Sequence, residues 1–297
     1  MASLAHETVL FEEACAGLLP CAGGLYLDCT LGRGGHTRGI LDRSAPDGRV
    51  VALDRDPVAL DAVREAFGDD AGRLELHRLP FSRAAEALAG RLVDGVVADL
   101  GVSSPQLDDP ARGMSFRHDG PLDMRMGDDV DETAWELVRR LRDDELADVI
   151  YQYGEERASR PIARSIKRAV DAGAMETTAQ LAEAVHRVLG RPRFGKPDPA
   201  TRTFQALRIA VNDELGELER LLAALPSMVR VGGRVAVISF HSLEDRLVKH
   251  AFRGDAAWHP VTKKPVTPSD EECARNPRSR SAKLRVAERC DVEEETP

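Results

Sequence analysis

Gly24-Leu25-Tyr26-Leu27-Asp28-Cys29-Thr30-Leu31-Gly32-Arg33-Gly34-Gly35-His36 reads as a short buried strand over 25–28, a glycine turn, and a helix starting near His36. Glycine suits such a turn because the backbone must take positive φ and let a ligand come close. The N–H groups that open the following helix favour a polar or anionic group. By itself, a turn of this kind can be purely structural. A second stretch, Arg49-Val50-Val51-Ala52-Leu53-Asp54, is another apolar strand closed by an acid, and Asp54 lies 20 residues beyond Gly34. At that spacing nucleoside-binding α/β units set a carboxylate against ribose hydroxyls.

A dinucleotide fingerprint beginning at Gly32 requires glycine at position 37, where Thr37 stands. Asp28, at the end of the first strand, would repel a pyrophosphate. An acid there suits a cationic ligand with an amino-acid tail, such as S-adenosylmethionine (AdoMet). A methyltransferase is therefore favoured over a dehydrogenase.

Outward from this turn, strands at 25–29, 49–54, 73–77 and 94–100 alternate with helices near 34–44, 57–67 and 82–91. Asp56-Pro57 opens the second helix as a cap with proline at the first helical position, and Ser82 is the expected cap of the third. Such alternation predicts a doubly wound, mostly parallel, Rossmann-like sheet, with ligands at the carboxyl ends of its strands. Those ends carry Asp28, Asp54, Phe81 and Asp99. After the loop Asp99-Leu100-Gly101-Val102-Ser103-Ser104-Pro105-Gln106-Leu107 the alternation stops. Helical stretches follow at 133–142, 143–152, 156–171 and 177–189, with no convincing strand among them. A Gly/Pro-rich run at 190–199 closes this all-α insertion. The expected division is a sheet domain over 1–107 and 200–297 and a helical domain over 108–199. A long helix near 202–224 and a strand at 234–240 return the chain to the sheet. The tail at 276–289 reads as a basic loop and an edge strand, and 293–297 as disordered.

The 297 residues, 42% hydrophobic and 31% charged, describe a globular protein with a sizeable core. No apolar run approaches ~18 residues, and Met1–Glu7 lack the features of a secretory leader. Five scattered cysteines without a C-x-x-C pair predict reduced thiols in a cytoplasmic protein and no metal site. Net charge is −9, but the segments 157–168, 186–208 and 275–289 each carry +5, which leaves −24 on the remainder. Charge runs are commonly solvated helix faces. Three of them in an acidic chain point equally to an anionic partner.

The stretches D-x-T-L-G-x-G-G-H (28–36), D-L-G-V-S-S-P-Q-L-D (99–108), G-P-L-D-M-R-M (120–126), R-T-F-Q-A-L-R-I-x-V-N-x-E-L (202–215), I-S-F-H-S-L-E-D-R (238–246) and R-S-A-K-L-R-V-A-E (280–288) resemble the bacterial 16S rRNA (cytosine-N4) methyltransferase family. The resemblance runs in order from His6 to about Glu288. It implies a class I AdoMet-dependent methyltransferase domain interrupted by a helical, RNA-recognising domain. It also implies action on one cytidine in the decoding region of 16S rRNA in the small ribosomal subunit. By this resemblance AdoMet contacts fall on Gly34, Gly35, His36, Asp54, Phe81, Asp99 and Gln106. A homodimer is left open.

N4 of cytosine gives its lone pair to the ring, so methylation needs an acceptor for the amino proton. Asp99, Ser103 and Ser104 stand where amino-methylating enzymes keep such acceptors. Asp99 could equally serve only the methionine amine of AdoMet. The target base must leave its stack, and only 13 aromatics offer platforms. The stacking candidates are Phe81, Phe116, Phe204, Phe240, Trp135 and Trp258, most of them better read as core. At the end of the strand at 234–240, Ser242 reads as the cap of a further helix and His241 as a base or RNA contact. A small-molecule methyltransferase is disfavoured by the basic runs and the insertion. A silent assembly protein would not need the ligand turn with Asp54 and Asp99.

Overall fold

A computed structural model describes residues 7–291. The N-terminal residues 1–6, where the leader-free start and His6 were read, and the acidic end at 293–297 lie outside them. The chain divides into two compact units, Met1–Gly101 with Leu215–Pro297 and, between them in sequence, Val102–Glu214.

The first unit opens with α1 (Phe11–Leu18), β1 (Leu25–Asp28), α2 (Gly35–Arg43), β2 (Arg49–Asp54), α3 (Pro57–Phe67), β3 (Leu74–Arg78), α4 (Ala84–Leu88) and β4 (Val93–Asp99). Alternate residues of the strands enter two different cores. Leu27, Val51, Leu53, Val96 and Ala98 face one layer, and Tyr26, Val50, Ala52 and Val97 face the other. Burial on both faces is why these strands read as unbroken apolar runs. Asp56 caps α3 as expected, accepting from Val58 N–H at 3.0 Å, with Pro57 behind it. Ser82 does not cap α4. A 3-10 turn over Phe81–Arg83 supplies carbonyl partners for the amides of Arg83 and Ala84, so a side-chain cap has nothing left to satisfy.

The second unit holds α5 (Ser104–Asp108), α6 (Ala134–Arg140), α7 (Asp143–Gly154), α8 (Ser159–Asp171), α9 (Thr178–Leu189) and α10 (Thr201–Asn212). Among its described residues, β pairing is limited to one bridge, Pro121 with Thr177. Its limits differ from the expected 108–199. The single long helix near 202–224 is two helices, because Asp213 takes φ 48° and breaks the run. The first of them, α10, packs against α7, and Phe204, Leu207 and Val211 share a core with Leu146, Ile150 and Ile162. Gly154 permits this approach, since a Cβ there would lie 2.6 Å from the carbonyl oxygen of Arg202. The apolar side of α8 (Ile162, Ala163, Ile166, Ala169) is buried, while Arg160, Arg164 and Arg168 are exposed.

The chain rejoins the first unit through α11 (Glu214–Met228), β5 (Val229–Ser239), α12 (Ser242–Gly254), β6 (Trp258–Pro260), α13 (Asp270–Arg275) and β7 (Lys283–Arg289). The sheet order is β3-β2-β1-β4-β5-β7-β6, parallel except for β7, which runs antiparallel to both neighbours. Helices α11 and α12 cover one face with Leu218, Leu221, Leu225, Val248 and Phe252; α1, α2 and α3 cover the other. The tail strand is not an edge. Residues 284–287 are buried on both sides, and β6, three residues ending in proline, pairs outside them. His241, rather than Ser242, caps α12: its ring accepts from Glu244 N–H, and the Glu244 carboxylate accepts from the His241 amide.

Lys167 departs from the reading of its basic run. Its ammonium donates to the carbonyls of Val138, Arg139 and Leu141 at 3.1, 3.1 and 2.8 Å, closing the negative end of α6. It is a structural cation. Lys167→Met should lower stability by about 1.5–2 kcal/mol, the lower part of the range for bonds to a charged group because the amine is half-buried. Urea denaturation with an unchanged slope is the check.

Candidate active site

The glycine turn after β1 adopts the geometry its sequence asks for. Gly32 and Gly34 have φ of 52° and 75°, where a side chain would be strained. A Cβ on Gly34 would also lie 2.8 Å from the Phe67 ring, and one on Gly35 would collide with Thr8 Oγ1. The turn therefore presses close to its own unit, and α2 begins at Gly35 with its first amides lacking helical partners. His36, in that first turn, is buried and stacks on Phe11 with ring centroids 6.3 Å apart.

Three acids end neighbouring strands. Asp28 closes β1, Asp54 closes β2 and Asp99 closes β4. Asp28 is 1% exposed and already satisfied within the protein, accepting from the Thr37 hydroxyl at 2.6 Å and from Thr30 N–H at 3.1 Å. These bonds organise the turn, and burial raises the pKa of the acid. Thr37, which excluded a dinucleotide fingerprint, is the partner it needs. The sequence signal was there, a hydroxyl nine residues beyond a strand-end acid, but it carries no meaning until the helix folds back on the strand.

Asp54 accepts from Gly32 N–H at 2.8 Å and Asp56 N–H at 2.9 Å. Burial outweighs these bonds, and the nearby carboxylates of Asp56 and Asp28 add to it, so the acid is pushed up to about 6. A carboxylate has about four acceptor positions, so ligand hydroxyls can still be bound. Asp99 is 24% exposed at its side chain. Its Oδ2 lies 3.7 Å from His36 Nε2, an ion-pair distance too long for a hydrogen bond, and its Oδ1 is buried without a partner. Burial disfavours charge on His36, but Asp99, the Cys15 thiol and Asp28 outweigh it and hold the imidazole above its ordinary range. The Asp99 amide donates to Thr30 Oγ1 at 2.6 Å, tying β4 to the turn.

Of the other expected contacts, Phe81 sits in the turn after β3 and packs partly buried on the sheet core. Ser103, Ser104 and Gln106 belong to the helical unit. Ser103 is the N-cap of α5; its amide donates to Gln106 Oε1 at 3.0 Å in a capping box. The Gln106 amide donates to the Met126 carbonyl at 3.4 Å. Met126 lies in the Gly120–Met126 loop, which Asn212 holds. The Asn212 side chain donates to Met124 O at 2.7 Å and accepts from Met126 N–H at 2.8 Å. Arg208 meets Glu214 with paired bonds of 2.7 and 2.9 Å at the end of α10. These motif residues thus serve the loops of their own unit.

The chain matches the model of the MraW methylase family over residues 3–290. It belongs to that family. The chain is 55% identical over 287 residues to "Ribosomal RNA small subunit methyltransferase H" of Sorangium cellulosum, covering 96% of this chain and 90% of that protein. It is 49% identical over 288 residues to the protein of the same name from Synechococcus elongatus, covering 97% and 95%. The sheet is accordingly the class I methyltransferase sheet, and the chain is an AdoMet-dependent methyltransferase. No helix among the described residues is long and apolar enough to cross a membrane.

The strand ends fit AdoMet on chemical grounds. Buried acids there favour a ligand carrying a sulfonium and an amine, and Asp99 keeps an acceptor oxygen unused. If Asp54 binds as a carboxylate, its raised pKa sets a pH dependence: protonation competes with binding, so affinity falls as pH drops through about 6. Calorimetry should give an AdoMet Kd about tenfold weaker near pH 5 than near pH 7.5, since a group one unit below its pKa is about nine-tenths protonated. Asp54→Asn should bind more weakly at pH 7.5 and show a flat profile in that window.

Proposed function

We propose that this ribosomal RNA methyltransferase transfers a methyl group to N4 of a specific cytidine in the decoding region of the small subunit's 16S rRNA. The observation that carries the reading is the unpartnered Oδ1 of Asp99 at the end of β4. An amine nucleophile needs an acceptor for its proton, and this is an acceptor without another task. The motif resemblance supports the cytidine, and the similarity to small-subunit ribosomal RNA methyltransferases supports the RNA.

AdoMet supplies a methyl group already activated on a sulfonium, so orientation does much of the work. In this reading Asp54 accepts from the ribose hydroxyls. Gly35 and His36 offer the first amides of α2 to the methionine carboxylate, in keeping with the anion preference of a helix start, and Gly34, whose own amide donates to Leu31 O at 2.7 Å, turns the chain into that helix. Phe81 gives the adenine an apolar neighbour. Asp99 accepts from the cytosine amine, from the methionine amine, or from both. Ser103 and Ser104, four and five residues beyond it, are further acceptors for the base. Gln106 contributes through its capping box, which shapes that loop. His36 lies beside the Asp99 carboxylate, with Nε2 3.7 Å from Oδ2.

The helical unit supplies an electrostatic surface for RNA. Arg160 and Arg164 are exposed four residues apart on one stripe of α8, and Arg157 is exposed in the turn that leads into it. Lys167 is excluded from that role by its carbonyl bonds.

Two experiments test the reading. Asp99→Asn should lower the single-turnover methylation rate by ~10²-fold or more at saturating AdoMet and saturating small subunits, if the acid takes the cytosine proton. A rate restored to wild type by saturation would remove Asp99 from the chemical step and leave it as an AdoMet ligand. Reversing Arg157, Arg160 and Arg164 to Glu should weaken RNA binding and reduce the slope of log affinity against log salt by about two to three, because fewer counterions are released. AdoMet affinity should not change. Normal methylation at every salt concentration would make the stripe an ordinary solvated face.

A further inference from the structure

Phe194 is the most exposed large apolar side chain among the described residues, at 107% of its reference area. Single apolar side chains scattered on a surface need no explanation. The setting of this one is different. It occupies the first central position of a closed turn, in which Lys196 N–H donates to Arg193 O at 3.0 Å and Gly195 takes φ 73°. Positive φ at the second central position is what glycine permits there. Pro192 and Pro197 flank the turn and limit its backbone freedom. Local backbone geometry therefore sets the residue at the tip of a turn, where its ring is fully exposed.

The charges around it have one sign. Between Glu183 and Asp198 the sequence has no acid, and it has Arg187, Arg191, Arg193 and Lys196. Arg191 is engaged by Glu183 at 3.0 Å. Arg193 and Lys196 are exposed, and their side chains have no ion-pair partner among the described residues. An aromatic face beside free cations is the chemistry that binds an unpaired nucleotide: the ring stacks on a base and the cations meet the adjoining phosphates.

We infer that the turn at 193–196 is a nucleobase-stacking site, in which Phe194 receives an unpaired base of the substrate RNA and Arg193 and Lys196 hold its flanking phosphates. The inference rests on the ribosomal RNA reading above, and adds to it a contact point remote in sequence from the acids of the strand ends. It assigns binding, not chemistry, to the turn.

The test uses the full chain and begins with wild-type turnover on small subunits lacking the methyl group, which judges the substrate reading by itself. The stacking site is judged separately, by binding of a fluorescently labelled single-stranded oligouridine. Phe194→Ala and Phe194→Leu should each weaken that binding roughly 5- to 100-fold, the range for loss of one stacked base. Phe194→Trp should retain it. On small subunits the first two variants should raise KM and leave kcat unchanged, with AdoMet affinity as in wild type. Wild-type oligonucleotide binding by Phe194→Ala would overturn the inference. So would full retention by Phe194→Leu, which would mark an aliphatic contact, or a parallel loss of AdoMet affinity, which would mark a structural role. Phe194-dependent pelleting with phosphatidylglycerol vesicles, with RNA binding unaffected, would assign the turn to an anionic membrane surface and overturn it too.

Discussion

Three carboxylates close adjacent parallel strands of one sheet, and the cost of holding negative charge at these sheltered strand ends is the constraint around which the catalytic unit is arranged. Asp28 is fully buried and Asp54 partly buried; burial raises the pKa of both, and the Asp28 carboxylate adds to the rise at Asp54. The protein meets this cost differently at each position. Asp28 takes a hydroxyl and an amide from its own turn, Asp54 takes two amides, and Asp99 has the His36 cation beside it. What remains is a negative strand-end region that a sulfonium and an amine would offset on binding. The sign of the Asp54 shift has a consequence for the unliganded protein. Its folded-state pKa, about 6, lies above the ordinary 3.8, so the folded form binds the proton more tightly. Stability contributed by this site therefore falls as pH rises from about 4 to about 6. The unliganded protein tolerates this, and a cationic ligand relieves it.

The helical unit follows a different logic, in which polar side chains hold loops that have few apolar anchors. Asn212 reads the backbone of the Met124–Met126 loop from both sides, and Arg208 with Glu214 secures the end of the same helix. The glycines at 113 and 120 allow loop backbones to approach more closely than a Cβ would permit. Two motifs almost ninety residues apart in sequence thus form one polar network. Such networks are costly when only partly satisfied, which explains why a helix of ordinary amphipathic pattern carries Asn and Arg on its inner side. Spending Lys167 on the end of α6 belongs to the same economy, and leaves the outer arginines of α8 as its exposed charge.

How much of this was legible depended on whether the signal was local. Strand runs, the Asp56-Pro57 cap, the glycine turn and the helical character of the insertion are written within a few residues of where they act, and all are found in the structure. The acids at the strand ends were legible for the same reason, since topology places them and topology follows from alternation. The misread features depend on partners that meet only once the chain has folded back on itself. Asp28 looked like a ligand-facing acid until Thr37 came over it. Lys167 looked like a free cation until three carbonyls of α6 surrounded it. The strand at 283–289 looked like an edge because Trp258-His259-Pro260 is too short, and too near a proline, to announce itself as a neighbour.

The sequence by itself determined the α/β class, the nucleoside-type turn, the site's acidic character and the family, because each resides in spacing along the chain. Only the tertiary structure decided which polar groups are spent and which are left over. Satisfaction of a buried polar group is a property of what surrounds it in space. By that measure Asp28, Gln106, Asn212 and Lys167 are committed to the fold. Asp99 Oδ1 is left unpartnered and Phe194 fully exposed.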